Sequence, residues 1–157
     1  MRLLSIFAPS VLGLLSVACG PQPEDCAADR RVVVGIEEPE FLELADGDEL
    51  RVFVPPQSGA ASVVALRITC SKDGDSATDL SLEVRTLDGQ VLSEVKHDEF
   101  PAYEFGDALH VPHVMVYYGD ALLPEDLAGD AEIDVSLRVG GEVVSGGSTA
   151  VVLVPPS

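Results

Sequence analysis

The chain is poor in the residues from which many functional sites are built. It has no tryptophan, three cysteines, three histidines, and nine Lys plus Arg against 27 Asp plus Glu, for a formal net charge of −18. So negative a chain repels phosphates, which excludes nucleic acid as a partner. There is no GxSxG nucleophile motif, and three histidines leave little room for a catalytic triad. We therefore expect a protein that is not an enzyme.

The first 18 residues have the composition of a secretory signal peptide. Arg2 supplies a positive start, and the uncharged stretch after it ends in small residues. A transmembrane helix needs about 20 apolar residues. This run is shorter, contains Pro9 and is followed at once by the sequence GPQPED. We predict that residues 1–18 are removed.

The residues around the cleavage point resemble a bacterial lipoprotein signal. The box comprises Leu15, Ser16, Val17, Ala18 and Cys19. Ser16 stands where this family usually has leucine. The resemblance implies that Cys19 is acylated and anchors the protein in a membrane, and Gly20 after it implies sorting to the outer membrane. The alternative is an ordinary signal peptidase site, which the three residues before Cys19 also fit.

Two cysteines remain once Cys19 is assigned to the lipid. Cys26 and Cys70 form an even pair in an oxidising compartment, where a disulfide is the expected state. This bridge would close a loop of about 45 residues and add up to about 4 kcal/mol in the chain-entropy account. It would also fasten the tether to the domain. The alternative is a thiol metal site, but no further ligands at suitable spacing lie near either cysteine.

The rest of the chain alternates apolar and polar residues with the period of a β-strand. This pattern is clearest in DLSLEVRTL (79–87) and EIDVSLRV (132–139). Further strands are predicted at 31–36, 49–54, 62–70, 91–96, 113–118 and 150–154. Turn dipeptides such as Asp88-Gly89 separate them. We predict an all-β fold, an antiparallel immunoglobulin-like β-sandwich of about eight strands, in one domain at 31–157 behind a tether at 19–30.

Two local expectations follow from the same pattern. Cys70 continues the alternation of Val64, Leu66 and Ile68, so its side chain is expected to point into the core. The stretch from Val144 to Thr149 is rich in glycine and serine, and we expect it to be a flexible hairpin loop.

Residues 41–68 resemble a recurrent pattern in uncharacterised bacterial lipoproteins. The pattern is an aromatic residue, an Asp-Gly-Asp turn, an apolar strand, Pro-Gln-x-Gly and a second strand. The matching residues are Phe41, Leu44, Asp46, Gly47, Asp48, Leu50, Pro56, Gln57 and Gly59. A second glycine and a histidine that these relatives often carry after the glutamine are missing here. The resemblance implies a sandwich in the cell envelope and assigns no catalytic residue.

Histidine and aromatic residues concentrate between His97 and Tyr118. This segment holds all three histidines and five of the eight aromatic residues, and part of it is expected to form the longest loop. Such side chains on a loop of a rigid sandwich are typical of binding surfaces. The candidate binding surface comprises Phe100, Tyr103, Phe105 and His110, with an envelope protein or a glycan as partner. In the alternative, Phe100, Phe105 and Tyr118 plug one end of the sandwich.

The same segment raises a second hypothesis, periplasmic copper binding. His113 and Met115 are two apart on a predicted strand and therefore share a face, and an imidazole with a thioether suits Cu(I). The pair resembles the HxM half of copper-chaperone motifs, which also need upstream ligands. His110 is a candidate third ligand, but its side chain would project from the face opposite to that of His113 unless Pro112 bends or bulges the strand. Packing of Met115 is therefore favoured over a metal site, and no cofactor is expected.

Overall fold

The computed structural model describes residues 29–56, 59–71, 74–119 and 122–156, which form two β-sheets packed face to face. Its strands are β1 (Val32–Glu37), β2 (Phe41–Glu43), β3 (Asp48–Arg51), β4 (Ala61–Thr69), β5 (Ala77–Thr86), β6 (Val91–Glu99), β7 (Tyr103–Phe105), β8 (Ala108–Tyr117), β9 (Gly129–Val139) and β10 (Glu142–Val154). A short 3₁₀ helix, Pro124–Leu127, precedes β9. The predicted signal peptide, Cys19 and Cys26 lie outside the described residues.

The strand order is that of an immunoglobulin-like sandwich. One sheet has the order β2-β1-β4-β8-β7 and the other the order β3-β10-β9-β5-β6. All neighbouring strands are antiparallel except β3 and β10, which are parallel. The run β1-β4-β8-β7 corresponds to strands A, B, E and D of an immunoglobulin domain, and β10-β9-β5-β6 to G, F, C and C′. The predicted fold is confirmed, with ten strands in the described part of the chain instead of about eight.

The two strands that the sequence did not predict are β2 and β7. Each has three residues and lies at an edge of the first sheet, so neither is long enough to show an alternating pattern. β8 also begins at Ala108, earlier than predicted. The expected long loop is therefore wrong: the chain forms a tight hairpin from β7 to β8 through Gly106 and Asp107.

The predicted loop from Val144 to Thr149 is also wrong, because β10 continues through it. A β-bulge between Ser145 and Gly147 absorbs the irregular backbone. A β-carbon on Gly146 would lie 2.6 Å from the carbonyl oxygen of Val32 on the opposite sheet. Glycine here permits a close approach of the two sheets and does not mark a chain reversal.

The core between the sheets is almost entirely aliphatic. Alternate residues of the central strands, such as Leu82 on β5 and Ile133 on β9, are fully buried. Tyr118 is buried among them, and its hydroxyl donates to Oγ of Ser62 at 2.9 Å, which donates in turn to the carbonyl oxygen of Arg51 at 2.8 Å. Burial raises the pKa of Tyr118 to about 12, so this phenol stays a neutral donor.

The chain enters the sandwich at Arg30. The guanidinium of Arg30 is 2.9 Å from a carboxylate oxygen of Asp75, and its Nε donates to the carbonyl oxygen of Cys70 at 3.1 Å. Cys70 itself follows the end of β4 with φ of 58° and is half-buried. The expectation that the strand alternation continues to Cys70 is therefore wrong, because β4 ends one residue before it.

Truncation of a central core side chain tests this packing. We expect Leu82→Ala, whose side chain is 0% exposed, to lower the free energy of unfolding by about 2 to 5 kcal/mol, because it leaves a cavity between the sheets. Leu87→Ala, at a leucine 61% exposed just beyond β5, is the matched control and is expected to change it by less than about 0.5 kcal/mol. Urea unfolding measures both, and equal losses would contradict this placement of the core.

Candidate functional site

A shallow groove on the outer face of the first sheet is lined by aromatic and charged side chains. Its central residues are Phe41 on β2, Arg67 on β4, Tyr103 and Phe105 on β7, and His110 on β8. We call these five residues and the space between them the aromatic groove. Its volume is about 600 Å³, within the range of ligand-binding clefts in proteins.

Strand register places these residues on one face. Arg67 lies directly opposite His110, and His110 lies opposite Tyr103 on the next strand. Residues directly opposite each other in antiparallel strands point to the same side of the sheet. Phe105 shares that side because it is two residues beyond Tyr103. The hairpin therefore carries its aromatic residues toward Arg67.

Phe41 joins the groove by lying across the backbone of β1. A β-carbon on Gly35 of β1 would be 2.6 Å from Cζ of Phe41 and 2.4 Å from the carbonyl oxygen of Leu42. The absence of a side chain at Gly35 thus makes room for the ring. Having crossed β1, the ring meets Arg67, whose guanidinium carbon is 4.2 Å from the ring centroid in a cation–π contact.

His110 lies at the centre of these contacts. Its Nε2 accepts a hydrogen bond from Nε of Arg67 at 3.2 Å. Its ring meets Phe41 and Phe105 edge to face, with centroid distances of 5.8 Å and 5.5 Å. Because a guanidinium only donates, Nε2 carries no proton and the imidazole is neutral. Partial burial, and next the positive charge of Arg67, lower the pKa of His110 and favour this neutral form.

Charges of both signs border the aromatic groove. The acidic residues Glu37 and Glu40 line its edge, while Arg67 lies among the rings. Glu104 alternates with Tyr103 and Phe105 along β7, and its Oε1 accepts a hydrogen bond from the backbone of Gly74 at 2.9 Å. Arg67 forms no ion pair with any residue in the described ranges. Its terminal nitrogens are available for a ligand.

The structure divides the predicted binding surface into two groups. Tyr103 and Phe105 are 60% and 73% exposed and lie in the aromatic groove with half-buried His110. Phe100 lies apart, on the crossing from β6 to β7, where it packs against the core. The alternative, a plug at the end of the sandwich, thus describes Phe100 and buried Tyr118 but is wrong for Phe105.

Two residues of the groove, Phe41 and Arg67, were not predicted as site residues from the sequence. Both are distant in the chain from the histidine-rich segment, and the pairing of β1, β2, β4 and β8 brings them to it. One signal was available in the stretch VVVGI, where Gly35 interrupts a run of β-branched residues. An isolated glycine in a strand marks a bulge or a close approach by another group.

The two candidate copper ligands lie further along β8. A β-bulge at Pro112 and His113 interrupts the strand, and His113 has φ of 53°. Its side chain is exposed, with Nδ1 4.0 Å from a carboxylate oxygen of Glu37, and it borders a different concavity from His110. Met115 is half-buried. In the described part of the chain, no group of three or more His, Cys, Asp and Glu residues is arranged to hold a metal ion. The copper hypothesis stays a prediction.

Known proteins provide no match from which the role of the groove could be inferred, so the groove is interpreted from its own geometry. No protein-family model matches the chain, and no curated protein matches it. None of the helical segments described is long and apolar enough to cross a membrane.

Substitution of Gly35 tests the arrangement of the groove. We expect Gly35→Ala to displace Phe41, because the new methyl group would occupy the position of the ring. His110 then loses cover and its pKa rises toward the ordinary value of about 6.5. NMR titration of the imidazole signals measures this shift. Gly119→Ala, which adds a methyl group in open space, is the control.

The pH dependence of stability provides a second readout of the same substitution. Between the lowered pKa of His110 and about 6.5, the unfolded chain binds a proton that the folded domain does not. The wild-type domain therefore loses stability as the pH falls below about 6.5. This loss is expected to shrink in Gly35→Ala, and an unchanged His110 titration would show that Phe41 does not shield the imidazole.

Proposed function

We propose that this protein is a non-catalytic lipoprotein of the cell envelope, anchored in the outer membrane through Cys19, whose sandwich domain is a binding module. The observation that carries the proposal is the aromatic groove, with two largely exposed rings held on a rigid sheet. Its partner is an envelope protein or a glycan.

Exposure of Tyr103 and Phe105 supports a binding role. The domain fills its core with aliphatic side chains and buries Tyr118, so it does not need these two rings for packing. Large apolar rings in a concave surface are typical of ligand sites. An aromatic side chain has only two rotatable torsion angles, so it loses little conformational entropy on binding. Strand pairing of β7 with β8 fixes the rings in place before any partner arrives.

The chemistry of the groove favours binding over catalysis. His110 is neutral, but its Nε2 is already occupied by Arg67, and no serine, threonine or cysteine among the described residues lines the groove. A general base needs a free nitrogen within reach of the group whose proton it removes. The histidine is better suited to fixing Arg67 than to moving protons.

The start of the domain supports the predicted tether and its disulfide. Arg30 and Arg31 run beside the end of β4, where the amide of Thr69 donates to the carbonyl oxygen of Arg31 at 3.0 Å. Cys26 is four residues before Arg30, and four extended residues span up to about 14 Å, so it can reach Cys70. Forming the bond joins the two sulfurs, and the two electrons and two protons pass to a disulfide-exchanging oxidant of the envelope.

Intact mass tests the anchor and the disulfide together. Protein extracted from its own envelope with mild detergent is expected to lack residues 1–18, to carry acyl chains and to have two hydrogens fewer than the reduced chain. The Cys19→Ala variant is expected to lose the acyl mass and appear in the soluble fraction. An unacylated wild-type protein would contradict the anchor, and free thiols at Cys26 and Cys70 would contradict the bridge.

The binding role is tested in the Cys19→Ala background, because an unanchored chain sediments with washed envelopes only if the domain itself binds them. We expect the parent to co-sediment and the double variant Tyr103→Ala, Phe105→Ala to remain mostly in the supernatant. Tyr117→Ala is the matched control, since Tyr117 is also exposed on the first sheet, at 56%, but lies outside the groove.

Two results of the sedimentation experiment would contradict the proposal. If the double variant sediments as well as its parent, the groove is not the binding surface. If the parent itself stays in solution, the domain has no envelope partner. Circular dichroism and urea unfolding of each variant establish that a lost interaction does not reflect a lost fold.

A further inference from the structure

The charges around the aromatic groove restrict the ligands that it can hold. Glu37 and Glu40 border it, in a chain whose formal net charge is −18. An anionic ligand would approach this surface against both the local and the overall charge. Anionic glycans and acidic peptides are therefore poor candidates.

A cationic ligand is opposed by Arg67. The guanidinium is fixed among the rings, stacked on Phe41 and bonded through Nε to His110, and it has no ion pair with another described residue. A ligand ammonium group entering the centre of the groove would meet this positive charge. The carboxylates attract a cation only at the edge, while the guanidinium repels it where the rings are.

A neutral ligand with an apolar face and a hydroxylated edge can stack on the rings of the groove and hydrogen-bond to its carboxylates and to Arg67. A saccharide ring has this character: its C–H bonds carry partial positive charge and lie well on the negative face of an aromatic ring. Its hydroxyls donate to carboxylates such as Glu37 and Glu40. Arg67, a pure donor, can bond hydroxyl or acetamido oxygens.

We propose that the aromatic groove binds a neutral glycan, with saccharide rings lying on the exposed faces of Tyr103 and Phe105 and polar groups bonded to Arg67 and the carboxylates of the edge. This inference rests on the proposed binding function and names the ligand class of the same site. The volume of about 600 Å³ and the open shape suit a few residues of a longer chain that enters and leaves the groove.

Calorimetric titration tests the proposal with two matched pairs of probes. Hexasaccharides of N-acetylglucosamine and galactose are compared with their charged counterparts, those of glucosamine and galacturonic acid, and hexasaccharides of glucose and mannose complete the panel. The wild-type protein is held in a detergent without a sugar headgroup, since such a headgroup would itself compete. We expect at least one neutral hexasaccharide to bind, with little change in affinity as salt is raised.

Three variants locate the binding. Tyr103→Ala and Phe105→Ala are each expected to weaken the affinity for the neutral hexasaccharide about tenfold, the loss of one stacking surface. Tyr117→Ala, outside the groove, is expected to leave it unchanged within about twofold. Neutral binding that persists in the two groove variants would place the glycan elsewhere and overturn the proposal.

The other outcomes separate this inference from the proposed function. Binding of only the glucosamine or only the galacturonic acid hexamer, suppressed by salt, would show that charge selects the ligand and would overturn the neutral glycan. If no hexasaccharide binds at millimolar concentration while envelope sedimentation still depends on Tyr103 and Phe105, the glycan is wrong and a protein partner takes its place. If neither assay detects binding, both proposals fail.

Discussion

The ring of Phe41 lies across the backbone of Gly35, and the outer face of the first sheet is organised around this contact. Without a side chain on Gly35, an aromatic residue on an edge strand crosses its neighbour and reaches the third strand. There it stacks on Arg67, which in turn bonds His110. The side chains on this face of the sheet are therefore in contact with one another, and the guanidinium of Arg67 is held in place between Phe41 and His110.

Aliphatic side chains form the core and most of the aromatic rings lie elsewhere, because the chain has few aromatic residues. The core is filled by leucine, isoleucine and valine, so the fold depends on very few rings, chiefly Tyr118 and part of Phe100. Tyr118 can be buried because Ser62 and a backbone carbonyl satisfy the two hydroxyls in its hydrogen-bond chain. Tyr103 and Phe105 bury little of their surface and remain exposed, where their apolar area is accessible to a partner.

Sequence patterns predicted the strands that are long enough to show several alternations and missed the two strands that have only three residues. The alternation along β5 and β9 was plain because each strand has one buried face over about ten residues. β2 and β7 have three residues each, and their pairing is imposed by the strands beside them. The aromatic groove was therefore half predictable. Tyr103, Phe105 and His110 stand together in the chain, whereas Phe41 and Arg67 join them only through long-range register.

The negative charge of the chain acts over a longer distance than the stacking and hydrogen-bonding groups of its groove. Surface charges are felt over about 10 Å at moderate salt, so the many carboxylates oppose adhesion of the domain to anionic membranes and polymers. Stacking and hydrogen bonding act only on contact. The tether proposed above would confine the domain to the envelope and raise the local concentration of a ligand there, so that even a weak contact is occupied. Repulsion at long range, combined with preorganised rings and hydrogen-bonding groups at short range, favours a ligand recognised by shape and hydrogen bonding, and Gly35 is the residue that makes this arrangement possible.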